Sequence, residues 1–303
     1  MANITAKDVA TLRERTGVGM MDCKKALVEA DGDFEQAIVI LREKGLASQA
    51  KKAGRVSAEG LVEAFVENGV GVVVEVNSET DFVANTDQFK AFVKTVAKTI
   101  VAENPADVEA LKACKAVGSE MTVQEELQEL FLKIRENIQI RRFTRLEGDL
   151  VSYVHGEGRI GVLVQLDTDL GDKAYACGKD CALQIAAMSP SYLDRASVPA
   201  DVLEGEKKIV MAQMAEDPKM ANKPEAVLAK IAEGKLGKYY TENCLVEQEF
   251  VKDGDYTVGK YVEKCAKDLG GKIAVKQFVR YERGEGIAKK EENFAEEIAS
   301  MIK

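Results

Sequence analysis

The first fifty residues carry hydrophobic positions at helical spacing. Polar capping residues and glycines or turns separate three such stretches. The predicted helices run from Thr5 to Gly17, from Met20 to Ala30, and from Asp33 to Gly45, where the last glycine is expected to end the third helix. The basic sequence Lys51-Lys52-Ala53-Gly54-Arg55 follows as a linker. Residues 1–55 are therefore predicted to form a compact three-helix domain.

From residue 56 the pattern changes to the alternation that is typical of β-strands. The segment Gly60–Val76 contains two β-rich runs around Asn68-Gly69, which is a strong signal for a hairpin turn. A polar elbow, Asn77–Ala84, follows the hairpin. Phe89, Phe92, Val93, Val96 and Ile100 then mark one face of a predicted helix.

The same order of elements returns in the second half of the chain. A hairpin-like pair begins at Leu150, and a helix containing Cys177 and Cys181 follows it. Gly71-Val-Val-Val of the first pair aligns with Gly161-Val-Leu-Val of the second. This repetition predicts a duplicated α+β core made of two subdomains.

Three further segments complete the predicted organisation. Residues 122–146 show a helical pattern marked by Leu127, Leu130, Ile134 and Ile138. Residues 200–238 predict two helices joined by a proline-bearing turn, which is typical of an antiparallel helical hairpin. This hairpin would interrupt the second subdomain, because strand-like runs resume at Cys244–Val251 and Ile273–Tyr281. The tail ends in a predicted amphipathic helix with Phe294, Ile298 and Ile302 on one face.

The sequence therefore predicts an α+β fold with five parts. They are a three-helix domain at residues 1–55, a first core subdomain at 56–146, a second core subdomain at 147–199 and 239–286, an inserted helical hairpin at 200–238, and a C-terminal helical module at 287–303.

Composition and charge narrow the classes of function. The formal net charge of −9 argues against nucleic acid as a direct ligand, because phosphate binding needs a basic surface. No apolar run is long enough to predict a membrane span. The N-terminal residues lack the features of a signal or transit peptide, so we expect a cytosolic protein. Six cysteines without framework spacing are expected to be small core residues in a reducing compartment.

Motifs that would carry catalysis are weak. Gly156-Glu-Gly-Arg-Ile-Gly161 satisfies the dinucleotide-binding pattern but leads into a strand instead of a helix, so we interpret it as a turn. His155 is the only histidine, and it is either a lone general base or, as we favour, a structural or interface residue. Cys177 and Cys181 lie four positions apart on a predicted helix and could together bind a metal, but only one distant histidine is available, so we favour a packing role. No catalytic residue, metal or cofactor is predicted.

A few apolar residues in polar settings remain as candidates for binding another protein. Phe82, in Thr80-Asp81-Phe82-Val83, is either a core residue at the start of the next helix or the tip of an elbow. At a tip, its insertion into a partner would be worth roughly 1.5–3 kcal/mol. Met20 and Met21 are adjacent at a helix start, so both cannot face one small core, and one is expected to remain as an adaptable contact.

Five motifs along the chain resemble those of the elongation factor Ts family. They span Leu12–Leu27, Glu75–Ala84, Glu136–Phe143, Tyr153–Gly161 and Arg280–Ile287. The chain departs from the family pattern at Arg135, where glycine is usual. The resemblance implies an N-terminal domain similar to ubiquitin-associated domains, a two-subdomain α/β core, a helical hairpin of the dimerisation type and a C-terminal helix.

The resemblance also implies a function. Members of the family are guanine-nucleotide exchange factors that bind elongation factor Tu and release its GDP, and they are not enzymes. The partner-contacting positions carried over are Arg13, Met20, Met21, Lys24, Thr80, Asp81, Phe82, Val83, His155 and Phe294. The Thr-Asp-Phe-Val motif is expected to lie beside the Mg²⁺ and phosphate site of the partner. Whether the chain forms a homodimer or a two-to-two complex is left open.

Two other functions fit parts of the sequence. Residues 5–46 alone would suit an adaptor of the ubiquitin-associated type, although the elbow and the duplicated core have no role in it. An enzyme that uses the glycine turn at 156–161 is the third interpretation, and a nucleotide or flavin retained by the purified protein would favour it.

Overall fold

The computed structural model describes residues 4–217 and 224–288, and the α+β class is confirmed within them. These residues form eleven α-helices and two three-stranded antiparallel sheets. The helices are α1 Ala6–Thr16, α2 Met20–Glu29, α3 Phe34–Lys52, α4 Asp81–Ala84, α5 Asp87–Glu103, α6 Val108–Ala113, α7 Val123–Ile134, α8 Tyr175–Met188, α9 Ala200–Glu216, α10 Glu225–Asn243 and α11 Val258–Leu269. The strands are β1 Glu59–Glu67, β2 Val70–Ser78, β3 Gln139–Glu147, β4 Asp149–His155, β5 Ile160–Thr168 and β6 Ile273–Glu282.

Each sheet has a turn that the sequence predicts. Asn68 and Gly69 both adopt positive φ between β1 and β2, as a tight hairpin requires. Gly156 and Gly158 adopt positive φ between β4 and β5, so the glycine pattern forms a strand-to-strand turn and does not open a helix. The interpretation of this pattern as a turn is confirmed.

The two sheets pack face to face, and helices cover their outer faces. Valines on one face of β2 pack against α5, and those on one face of β5 pack against α8. The opposite faces meet in a small apolar cluster that contains Val62, Val73 and Leu163. This arrangement explains the near-continuous apolar runs in both central strands, because both of their faces are buried.

The contact between the two sheets is made by equivalent positions on the two central strands. A Cβ atom on Gly71 would lie 2.7 Å from Leu163, and one on Gly161 would lie 3.1 Å from Val73. Each glycine therefore faces the residue two places beyond the other glycine. Both central strands also change register at equivalent places, after Glu75 and after Gln165.

The N-terminal helices form their own apolar cluster, which Leu132 of α7 joins. Helix α3 does not end at Gly45 as predicted but continues to Lys52. A Cβ atom at Gly45 would lie 2.1 Å from Leu132 Cδ2, so this glycine permits close helix packing instead of ending the helix. The predicted end was wrong because the reason for the glycine lies in α7, far along the chain.

The prediction of a helix over the whole of residues 122–146 was also wrong. The helical pattern over residues 122–146 continues past the end of α7, but residues 139–147 form strand β3 beside β2. Arg135 ends α7 in the left-handed conformation that glycine favours, with φ of 64°.

The run Cys244–Val251 was predicted as a strand but forms a short 3-10 turn at Leu245–Glu247. Gln248 within it is buried, and its side chain bonds Gln184 and the carbonyl of Glu242. These side-chain bonds replace a strand ladder. Helices α9 and α10 lie between β5 and β6 along the chain and contact each other. The predicted C-terminal helix lies outside the described residues.

Within the described part of the chain, we find no helix that is both long and apolar enough to span a bilayer.

The close approach of the sheets gives a stability prediction. Gly161→Ala places a Cβ atom 2.4 Å from Val62 Cγ1, and both neighbouring valines are buried. We expect the free energy of unfolding, measured by urea titration, to fall by about 1–3 kcal/mol. Gly205→Ala, in α9 with open space around the new methyl group, should be neutral or stabilising. Equal stability of Gly161→Ala and the unmodified chain would contradict this packing.

Candidate functional site

The elbow predicted after β2 is a single helical turn with one buried side and one exposed side. Thr80 caps α4, and its hydroxyl accepts a hydrogen bond from the N–H of Val83 at 3.4 Å. Val83 and Ala84 are buried against the first sheet. Phe82 points away from it and is 82% exposed. Of the two interpretations of Phe82, the structure supports the elbow tip.

The polar groups of the elbow include an exposed carboxylate and hydrogen bonds within the elbow itself. Asp81 is exposed, and its carbonyl accepts a hydrogen bond from the Asn85 side chain at 3.1 Å. Ser78 donates from its hydroxyl to the carbonyl of Thr80 at 2.9 Å. The exposed Phe82 ring therefore lies beside the exposed Asp81 carboxylate, and hydrogen bonds hold the backbone of this turn in place.

The four N-terminal candidates lie on the outside of α1 and α2. Arg13 and Lys24 are exposed, while Met20 and Met21 are 45% and 65% exposed. The prediction that one methionine stays outside the core therefore understated the result, since both do. Cys23, between them and Lys24, is buried and takes the core position instead.

His155 stands at the end of β4 and is exposed. Its Nδ1 lies 2.9 Å from the Tyr153 hydroxyl. The turn that follows packs on the first sheet, because the carbonyl of Gly158 accepts a hydrogen bond from the N–H of Val62 at 2.8 Å. This turn also bonds the C-terminal turn, since the Arg283 N–H donates to the carbonyl of Arg159 at 2.9 Å.

The elbow, the turn after His155 and the last described residues lie at the same end of the two-sheet core. The start of β1 pairs with the end of β2, from which the elbow leaves. At this end the C-terminal turn packs on the residue before β1, because a Cβ atom on Gly284 would lie 2.3 Å from the carbonyl of Ala58. Phe294, the remaining candidate, lies outside the described residues and follows this turn along the chain.

The N-terminal helices are joined to the same end. The Arg135 guanidinium donates to the Asp22 carboxylate at 2.9 Å, beside the exposed methionines. Lys52 donates from its Nζ to the carbonyl of Arg135 at 2.5 Å. No hydrogen bond within the described residues joins Arg13, Met20, Met21 or Lys24 directly to the elbow, so the two groups are separate surfaces. Arg135 bonds the N-terminal helices, and the adjacent Glu136 bonds Thr80 of the elbow.

Glu75 is the residue that sequence reasoning missed. Its side chain is fully buried on the face of β2 that meets the second sheet, yet it is charged. Its donors are the Gly284 N–H at 2.8 Å, Arg142 Nε at 2.7 Å, Arg141 Nη1 at 3.0 Å and Asn77 Nδ2 at 3.1 Å. The sequence did contain a signal for this residue. Glu75 interrupts an otherwise apolar strand and stands two positions before Asn77.

The environment of Glu75 shifts its ionisation. Burial by itself would raise the pKa of the carboxyl, but the hydrogen bonds from Gly284, Asn77 and the two arginines outweigh it, so the pKa is lowered. The carboxylate is therefore ionised and ties β2, β3 and the C-terminal turn together below the elbow.

Candidate chemistry elsewhere in the described residues is sparse. All six cysteines are free thiols, and Cys177 and Cys181 are buried in the core of the second sheet. A hydrogen bond with the neighbouring Cys181 thiol, together with burial, raises the pKa of the Cys177 thiol. We find no group of three or more His, Cys, Asp or Glu side chains in this part of the chain that could hold a metal ion.

Comparison with known proteins gives the class of protein to which this chain belongs. Residues 79–285 match the family described as Elongation factor TS. Three relatives with the name elongation factor Ts come from Syntrophotalea carbinolica, Clostridium novyi and Clostridium perfringens. They are 48%, 49% and 50% identical, and the alignments cover 98–99% of this chain and 99% of each relative. The class is therefore that of translation elongation factors. The chain belongs to the elongation factor Ts family.

The paired state of Glu75 predicts a pH-dependent stability. Because its folded pKa lies below the ordinary value of 4.5, its contribution is present above that pH and is lost as pH falls through the folded pKa. Glu75→Gln should lower the free energy of unfolding by about 3 kcal/mol at pH 7, because two partly buried arginines lose their buried carboxylate partner.

Urea unfolding at several pH values tests this expectation. The difference between the unmodified chain and Glu75→Gln should shrink below pH 4.5, while Glu67→Gln, at an exposed position at the end of β1, should match the unmodified chain throughout. A difference that stays constant down to the lowest pH would contradict the assignment.

Proposed function

We propose that this chain is a guanine-nucleotide exchange factor for elongation factor Tu in translation elongation. Membership of the elongation factor Ts family supports it, and the observation that carries the mechanism is the 82% exposed phenyl ring of Phe82 on an anchored turn. The chain would supply binding energy and no covalent chemistry. The cytosol, where translation takes place, is the proposed site of action.

The proposed mechanism has a simple thermodynamic form. An exchange factor binds the nucleotide-free partner more tightly than the GDP-bound partner, and by reciprocity it weakens GDP binding by the same factor. A thousandfold weakening needs about 4 kcal/mol of differential contact. Burying the Phe82 ring in the partner would supply roughly 1.5–3 kcal/mol of this.

Asp81 is proposed to act beside Phe82 on the partner's Mg²⁺ site. A protein-bound Mg²⁺ keeps several waters and few protein ligands, so a nearby carboxylate can alter the field around it. The exposed Asp81 side chain stands next to Phe82 on α4. Thr80 would hold the turn by capping α4, and Val83 would hold it by packing in the core.

The N-terminal surface of Arg13, Met20, Met21 and Lys24 is proposed to hold the GTPase domain of the partner. Exposed methionines suit this role because their side chains adapt to an uneven surface. His155 and Phe294 are proposed as further contacts from the core and the tail. Helices α9 and α10 are proposed to provide self-association or a second partner contact, since Ile209 and Met211 are both at least half exposed.

Phe82→Ala tests the proposed wedge. Because the ring is exposed, the substitution should leave thermal stability unchanged, yet the saturating rate of GDP release should fall roughly ten- to hundredfold. Release of a fluorescent GDP analogue from purified elongation factor Tu measures it. Tyr175→Ala, which removes a 52% exposed aromatic side chain from α8, is the matched control and should release GDP normally. An unchanged rate with Phe82→Ala would rule out the wedge.

The double substitution of Met20 and Met21 by alanine should behave differently. Alanine suits a helix, so α2 should persist. If the methionines only hold the partner, the concentration of exchange factor for half-maximal release should rise while the saturating rate stays the same. Titration of the variant in the same release assay separates the two effects, and a lower saturating rate with an unchanged half-maximal concentration would argue against a holding role.

A further inference from the structure

Two loop segments beside the elbow exchange hydrogen bonds through their carboxylates. Glu136, between α7 and β3, accepts from the Thr80 N–H at 3.0 Å and from the Thr80 hydroxyl at 2.7 Å. Glu79, between β2 and α4, accepts from the Asn137 N–H at 2.7 Å. Each carboxylate thus satisfies a backbone N–H of the other segment. We call this pair of interactions the reciprocal clamp.

The reciprocal clamp also includes the linker that leads from the N-terminal helices. Glu79 accepts from the Arg55 guanidinium at 3.2 Å, and the Asn137 side chain donates to the Arg55 carbonyl at 2.8 Å. Ser57 donates to the carbonyl of Asn137 at 2.9 Å. Glu136 therefore belongs to a fixed polar layer and is not a loose surface side chain.

Helix α4 needs such support because it is only four residues long. A helix of this length is not stable on its own. The exposed Phe82 ring adds little packing within the chain, so the turn is held by the buried Val83 and Ala84 on one side and by Thr80 at its start. Glu136 bonds both the N–H and the hydroxyl of Thr80, and so it controls the start of the turn.

We propose that Glu136 is a positioning residue that fixes the direction in which Phe82 projects. The proposal rests on the proposed exchange function, and it assigns to Glu136 an indirect role in which it acts through Thr80 and α4. A ring that is already fixed in its bound direction loses less conformational freedom on binding, so its contact energy is available to displace the nucleotide.

The chain contains a matched control for this carboxylate. Glu125 accepts from the Thr122 N–H at 2.7 Å and from the Thr122 hydroxyl at 3.0 Å, at the start of α7. The two glutamates therefore make the same pair of bonds to a threonine that caps a helix. Only Glu136 makes them at the elbow.

The experiment compares Glu136→Ala, Glu136→Gln and Glu125→Ala in release of fluorescent GDP from elongation factor Tu at saturating exchange factor. We expect Glu136→Ala to lower the release rate about tenfold, which is the size expected for losing hydrogen bonds to a charged group. Glu136→Gln should restore most of the rate, since its amide oxygen can still accept from the Thr80 N–H. Glu125→Ala should release GDP at the unmodified rate with a melting temperature like that of Glu136→Ala.

The same substitution in a Phe82→Ala background separates positioning from a general structural role. If Glu136 acts through Phe82, Glu136→Ala should have no further effect once the ring is absent. An equal loss in both backgrounds, no loss in either, or a melting temperature for Glu136→Ala far below that of Glu125→Ala would overturn the positioning role alone. Failure of the unmodified chain to accelerate GDP release would instead overturn the proposed function, and the positioning role with it.

Discussion

The end of the molecule that carries the elbow is organised around one buried charge. The Glu75 carboxylate has no access to water, and a buried charge is tolerated only when its partners are complete. Those partners come from β3 and from the turn after β6, so pairing Glu75 brings distant parts of the chain to the end of β2. The segment that leaves this strand is the elbow, whose starting point is fixed by that pairing.

Much of the fold could be predicted because its signals are local. The Asn68-Gly69 turn and the repeated glycine-valine strands are read from a few neighbouring residues, and each forms as predicted. Three predictions were wrong because long-range contacts decided the outcome. Gly45 serves the packing of Leu132, residues 139–147 complete a sheet with β2, and Gln248 bonds side chains where a strand was expected.

In the candidate site, too, local signals could be predicted from the sequence and long-range contacts could not. Sequence alone left Phe82 equally suited to the core and to the surface, because the adjacent Val83 is apolar too and a single helical turn buries only one of its sides. The structure buries Val83 and exposes Phe82. The support of the elbow by Glu79 and Glu136 could not be predicted, because it joins segments more than fifty positions apart. Arg135 did stand out in the sequence as a departure from the motif. The structure places it at the left-handed end of α7.

The proposed exchange function requires that the chain discriminate between two states of its partner, and affinity for each state measures this most directly. Calorimetric titration of the chain into nucleotide-free and into GDP-bound elongation factor Tu gives both dissociation constants. The account predicts tighter binding of the nucleotide-free state, by the same factor by which the chain weakens GDP binding. Equal affinity for the two states would contradict it, because a ligand without differential affinity cannot shift the equilibrium.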